Sequence, residues 1–230
     1  MTQPQTVSGI SNREFIQTYA APGRIGLAGG ADVVSKLIAF AQRRLDDERR
    51  PSLWSHAFLF QGTRMDGHHW VFESDLELHR KNIRLGVQEN RIEKFCSEKN
   101  YPVLAILDLG LGGDEVSAVL REALEMVAGR VRYSLRELMG TLVGMRRPAM
   151  RSRPNPLSRS QSLFCSAFVT HVMRKAGIDP APGLDVKHTA PEDLFRSPRA
   201  AGIWLLQPPE VAKVPLKDRI AARVRKRIGS

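Results

Sequence analysis

The 230-residue chain is 42% hydrophobic and 26% charged, an ordinary globular balance that excludes a mostly disordered chain. No run of about 18 uncharged apolar residues exists, which excludes a transmembrane helix of the usual length, and two cysteines, Cys96 and Cys165, are too few for a disulfide framework. The net charge of +11 is concentrated in two segments: 144–159, with five arginines and no acid, and 213–230, with seven basic residues and one acid. A near-neutral body with a basic loop and tail is unlike a uniformly basic nucleic-acid binder, so no specific nucleic acid is expected. Such a tail does visit polyanions and anionic membranes.

Taken in chain order, residues 1–21 read as a partly flexible leader. MTQPQTVSGISNREF has no basic n-region and no apolar h-region, so the expected location is cytoplasmic as synthesised, with export left to a dedicated secretion system. Residues 22–30 predict a short strand and a Gly-rich turn. Val33, Val34, Leu37, Ile38 and Phe40 recur at helical spacing within 31–45. Residues 54–60 and 69–74 predict two strands of a hairpin around Asp66-Gly67. The continuous apolar run 102–109 predicts a strand buried on both faces. Asp114 is placed to cap a helix over 115–128 that stops at Gly129. A second helix is expected from Ser134 to Val143, and an exposed Arg-rich loop over 144–160. A helix over 161–176 closes at Gly177, a helical turn is expected at 191–195 and a last strand at 202–206. Beyond the Pro208-Pro209 break, 215–228 predicts a basic amphipathic helix. The order implies an α+β fold around a small antiparallel sheet, with a main domain at 22–210 and a basic tail at 211–230.

Cys165 lies where the Arg-rich loop enters an apolar helix. A cysteine in a helix's first turn feels the positive end of the dipole, which favours thiolate. Cysteine is equally a common small buried hydrophobe. A thiolate nucleophile needs a base, and His56, within Trp54-Ser-His-Ala-Phe-Leu-Phe, is either a hydrogen-bonded core residue or that base. His171, six residues along the same helix, points about 240° away. His188 is a weaker candidate, and His68, His69 and His79 read as surface. Glu73, inside an apolar strand, either faces water or orients His56. A tight Asp66-Gly67 turn pairs Glu73 with Phe60 and leaves His56 about 13 Å along the strand, so a longer loop or a bulge is needed to unite them. No spacing of His and Cys resembles a metal motif, and Gly110-Leu-Gly-Gly113 lacks the Lys-Ser/Thr of a phosphate loop, so neither metal nor cofactor is expected.

Trp54-Ser-His56-Ala-Phe, Val71-Phe-Glu73 and Phe164-Cys165-Ser-Ala-Phe-Val, in that order, resemble the circularly permuted NlpC-type cysteine peptidases of the YiiX/YaeF-like group, relatives of the lecithin:retinol acyltransferase-like enzymes. Gly23-Arg-Ile-Gly is similar to the family's opening strand, except that Arg24 stands where an acid is usual, and Thr189-Ala-Pro191-Glu-Asp-Leu194 resembles the loop after the cysteine helix. The resemblance implies a permuted papain-like fold, with a partial barrel packed on the nucleophile helix. It implies Cys165 as nucleophile, His56 as general base and Glu73 as orienting acid, with the oxyanion held by backbone N–H groups at the helix start. Tyr133 and Ser166 become possible oxyanion or substrate contacts. The implied activity is hydrolysis of an amide, in a peptide or peptidoglycan fragment, or of a related acyl bond. Two other readings stay open: a lipid-directed acyltransferase or thioesterase at a membrane surface, and a non-catalytic basic binding module.

Overall fold

The computed structural model describes residues 2–76, 85–129 and 165–207. Tyr133, His79, the helix expected at 134–143, the Arg-rich loop 144–160 and the basic tail 211–230 lie outside the described residues.

Seven strands form one sheet: β1 (Gln5–Val7), β2 (Ile25–Gly29), β3 (His56–Thr63), β4 (His69–Leu76), β5 (Leu85–Arg91), β6 (Val103–Asp108) and β7 (Gly202–Leu206). Their order is β1-β7-β6-β2-β3-β4-β5, and every pair is antiparallel except β1 with β7. The sheet is open and mostly antiparallel, and it is larger than the small sheet expected. The additional strands are β1 and β5, each too short or too polar to show as an apolar run: Gln5-Thr-Val7, and Leu85-Gly-Val-Gln-Glu-Asn-Arg91. Both are edge strands, where polar residues blunt unwanted pairing.

Five helices are described: α1 (Asn12–Tyr19), α2 (Val33–Ala41), α3 (Gly113–Ala128), α4 (Cys165–Lys175) and α5 (Pro191–Phe195). On one face of the sheet α3 and α4 bury Val119, Ala123, Phe168 and Val172 against Ile25, Leu27, Leu59, Phe72 and Leu107. On the other, α1 and a 3-10 turn at Ile92–Cys96 bury Phe15, Ile16 and Phe95 against Phe58, Phe60, Val71 and Ile106. The result is three layers, and the central strands are apolar on both faces for that reason.

The supposed leader is therefore part of the body. Ser11 and Glu14 form a reciprocal capping box that starts α1, and Phe15 and Ile16 are buried beneath it. The cap of α3 is Gly112 rather than Asp114; the Gly112 N–H donates to Glu115 at 2.9 Å, and Asp114 sits in the first turn, where an acid complements the dipole. Arg24 donates to Asp108 from Nη2 at 2.6 Å and to the Tyr19 carbonyl from Nη1 at 2.7 Å, tying β2 to β6 and α1. The α2 helix forms where its spacing predicts, but none of its residues is buried, with Val33 72% and Leu37 61% exposed.

Candidate active site

The β3–β4 hairpin determines which side chains meet. Its loop is Met65-Asp66-Gly67, closed by the Arg64 N–H on the His68 carbonyl, with Gly67 at φ +75°. Three-residue loops of this kind put glycine in the left-handed region. From that loop the ladder runs Thr63↔His69 and Gly62↔Trp70, then steps by one residue to Phe60↔Val71 and Phe58↔Glu73. Gln61 is the extra residue of a bulge, and Gly62 takes φ +120° beside it.

This bulge decides the site. A regular ladder continued from Gly62↔Trp70 sets Leu59 opposite Glu73, and His56 then faces the opposite side of the sheet from the carboxylate. The one-residue step puts Phe58 opposite Glu73 and returns His56 to its face. His56 is now the diagonal neighbour of Glu73, within reach of two long side chains. Direct opposition, which the hairpin arithmetic from sequence required, is unnecessary.

His56 Nε2 and Glu73 Oε2 are 2.6 Å apart. A carboxylate only accepts, so Nε2 carries the proton and Nδ1 is left for another partner. The Cys165 side chain acts on the same imidazole through a hydrogen bond and through charge, both of which raise its pKa. His56 is the first residue of β3, at the end of the sheet, where a residue of the α4 layer can meet it. The ring lies beside Phe58 and Phe95, with centroids at 6.1 and 5.9 Å. Phe58 finds room because Gly26 faces it: a Cβ there would lie 2.1 Å from the ring.

Glu73 is fully buried, and both of its oxygens accept hydrogen bonds. Its Oε1 accepts from Asn90 Nδ2 at 2.6 Å and from Lys94 Nζ at 2.9 Å. Asn90 pairs with Val71 on β5 and is thus the second diagonal neighbour of Glu73, on the side away from His56. Burial pushes the carboxyl up, but the Lys94 charge and the His56 hydrogen bond outweigh it and hold the group below the usual carboxylate range. Burial likewise pulls the His56 imidazolium down; the hydrogen bonds to Cys165 and Glu73, and then their charges, push it up to about 10.

Neither Asn90 nor Lys94 was anticipated. They lie on a polar edge strand and the short turn after it, where no hydrophobic period marks an element. The remaining histidines are placed elsewhere. His68 is 2.7 Å from Glu93, and His69 stands beside Thr63. His171 is on the Cys165 helix, its pKa lowered by burial, and His188 is buried in the 3-10 turn Val186–His188. Ser166 is buried, and its hydroxyl donates to the Thr189 carbonyl at 2.7 Å, anchoring α4 to the following loop. Cys96 is a free thiol on the turn after β5, and burial raises its pKa. Among the described residues, no group of three or more His, Cys, Asp and Glu is arranged to hold a metal ion.

No family model matches the chain, and no curated protein matches it. Among solved structures it is similar to one described as metalloprotein yiiX from Escherichia coli O157:H7, DUF1105. The likeness has 14% identity and a TM-score of 0.49, and it covers 77% of this chain and 93% of that one. The site described above stands on this chain's own residues.

Proposed function

We propose that this chain is a thiol hydrolase that cleaves an amide bond in a peptide or peptidoglycan fragment, or a related acyl bond, through an acyl-enzyme on Cys165. The observation that carries this reading is that the His56 imidazole engages both the buried Glu73 carboxylate, 2.6 Å from Nε2, and the Cys165 side chain. With His56 held protonated, the thiol proton already rests on the imidazole, and the sulfur attacks the acyl carbon as thiolate. Backbone N–H groups at the start of α4 hold the oxyanion, since the Ser166 hydroxyl proton is already committed to Thr189. The imidazolium returns its proton to the leaving amine. Water, deprotonated by the same nitrogen, then hydrolyses the thioester and restores the thiol. The ordered resemblance to the permuted NlpC-type peptidases supports the same assignment.

The test is the rate of alkylation of Cys165 and Cys96 against pH, in the parent chain and in His56→Ala. Cys165 is expected to react about tenfold faster than Cys96 at pH 6, with the advantage lost in His56→Ala. Equal reactivity of the two thiols, indifferent to His56, overturns the proposal.

One observation favours a lipid-acyl substrate. Val33, Val34, Leu37 and Phe40 are exposed on α2, and so is Leu53 on the connection that leads into β3. The strand before α2 places Ala28 directly opposite His56, and this apolar helix starts soon after it, at Val33. Co-sedimentation with anionic vesicles that is lost in Leu37→Ser/Phe40→Ser supports that substrate class. Absence of binding by the parent chain leaves the amide as the better choice.

A further inference from the structure

The Cys165–His56–Glu73 series does not end at the carboxylate. We propose that Lys94 is a positioning residue of this site: its ammonium group holds Glu73 ionised and aims Oε2 at His56, with Asn90 sharing the second oxygen. The inference rests on the functional reading above and deepens it.

Three observations carry it. Glu73 has no exposure to water, so its charge must be balanced by protein groups. Its two oxygens are divided: among the described residues Oε2 faces His56, and Oε1 takes both Asn90 and Lys94. Lys94 is itself constrained, because its ammonium lies 5.5 Å from the centroid of Phe95, the ring that flanks His56. Among the described residues, the charged and titratable groups facing this carboxylate are His56 from β3 and Lys94 from the turn after β5, with Cys165 of α4 behind His56. When the thiol proton moves to the imidazole, four groups in contact alternate in sign: Lys94 positive, Glu73 negative, His56 positive, Cys165 negative. The set is neutral as a whole, so the ion pair at the nucleophile forms in a buried place without an uncompensated charge.

Removing the ammonium charge has a signed consequence. Without it Glu73 takes up a proton at higher pH, and the His56 imidazolium loses its charged acceptor at that point. His56 also loses a repelling cation, so wherever Glu73 remains ionised the imidazolium persists to higher pH. Both limits therefore move upward together. General loosening of the fold would instead draw both groups toward their ordinary values, raising one limit and lowering the other.

The measurement is the ¹⁵N imidazole shift of His56 against pH, in the full chain and in Lys94→Met, Lys94→Gln and Lys94→Arg, alongside Cys165 alkylation. The expected result in Lys94→Met is a rise of about one pH unit or more in the acid transition of the His56 signal. The corresponding effect is a tenfold or greater loss of alkylation rate on the acid limb. Lys94→Arg is expected to restore the parent profile. Lys94→Gln keeps a donor without the charge and should behave as Lys94→Met, so it serves if Lys94→Met does not fold. Superposition of the parent and Lys94→Gln imidazole transitions overturns the proposal. If the imidazole transition moves as expected while Cys165 is no more reactive than Cys96 in any variant, Lys94 holds Glu73 as inferred and it is the hydrolase reading that fails.

Discussion

Glu73 is a carboxylate with no access to water, and its partners therefore determine both its charge and its direction. Taking away one member of a buried ion pair strands the other, at a cost of about 3–5 kcal/mol. Glu73→Gln should accordingly lower stability by that order in urea melts, because Lys94 and His56 each lose the charged carboxylate they share, and it should drop the His56 imidazole toward its ordinary range. A loss below about 1 kcal/mol, the size of a surface pair, contradicts this account. The two groups also give the fold a pH dependence of known sign. The folded imidazole, held at about 10, stabilises the chain fully below its unfolded value near 6.5. That contribution is lost as pH rises through about 10. The lowered Glu73 contributes above its unfolded value near 4.5 and fails as pH falls through its folded one. The urea midpoint should therefore hold between about pH 4.5 and 6.5 and decline on the alkaline side. Cys165→Ala, which removes the partner whose hydrogen bond raises His56 most, should flatten that alkaline decline.

At the scale of elements, the hairpin shows why the site was only partly legible. The residue types were readable: a cysteine entering an apolar helix, a histidine in an aromatic strand, and an acid where an acid is out of place. Their meeting was not, because hairpin arithmetic assumes a regular ladder, and one extra residue changes which face a side chain takes. Gly62 in the segment Gln61-Gly62 was the available hint, since an isolated glycine inside a strand marks a bulge. Asn90 and Lys94 carried no comparable signal. Strands β2, β3, β4, β6 and β7 were legible from apolar runs, while β1 and β5 were not, because edge strands are stabilised by ladder hydrogen bonds rather than by apolar content. Two substitutions test the backbone's part. Gly62→Val places a β-branched residue at φ +120°, against the Pro22 ring 3.1 Å away, and should cost more than the roughly 1 kcal/mol of an ordinary glycine replacement. Gly26→Ala drives a methyl into the Phe58 ring and should cost about 1–3 kcal/mol, with Phe58 displaced toward His56. Thermal melts, with Cys165 alkylation alongside, read both effects, and an unchanged melting temperature in Gly26→Ala counts against the close packing of that pair.

For the whole molecule, the three layers make the first twenty residues structural. Phe15 and Ile16 close the core on the face that holds Phe58 and Phe95, and full burial of such side chains is worth about 1.5–3 kcal/mol each. A chain lacking residues 1–20 should be less stable by several kcal/mol, and a melting temperature unchanged by that truncation contradicts the description. Among the described residues no helix is long and apolar enough to cross a membrane. The parallel pairing of β1 with β7 has a consequence in time as well as in space. Gln5 lies beside Trp204 and Val7 beside Leu206, and the Thr2 hydroxyl donates to the Ala200 carbonyl. As the chain leaves the ribosome, its first strand has no partner until nearly 200 further residues have been made. Among the described residues β1 reaches the sheet only through β7, so this edge cannot be completed until β7 has been made.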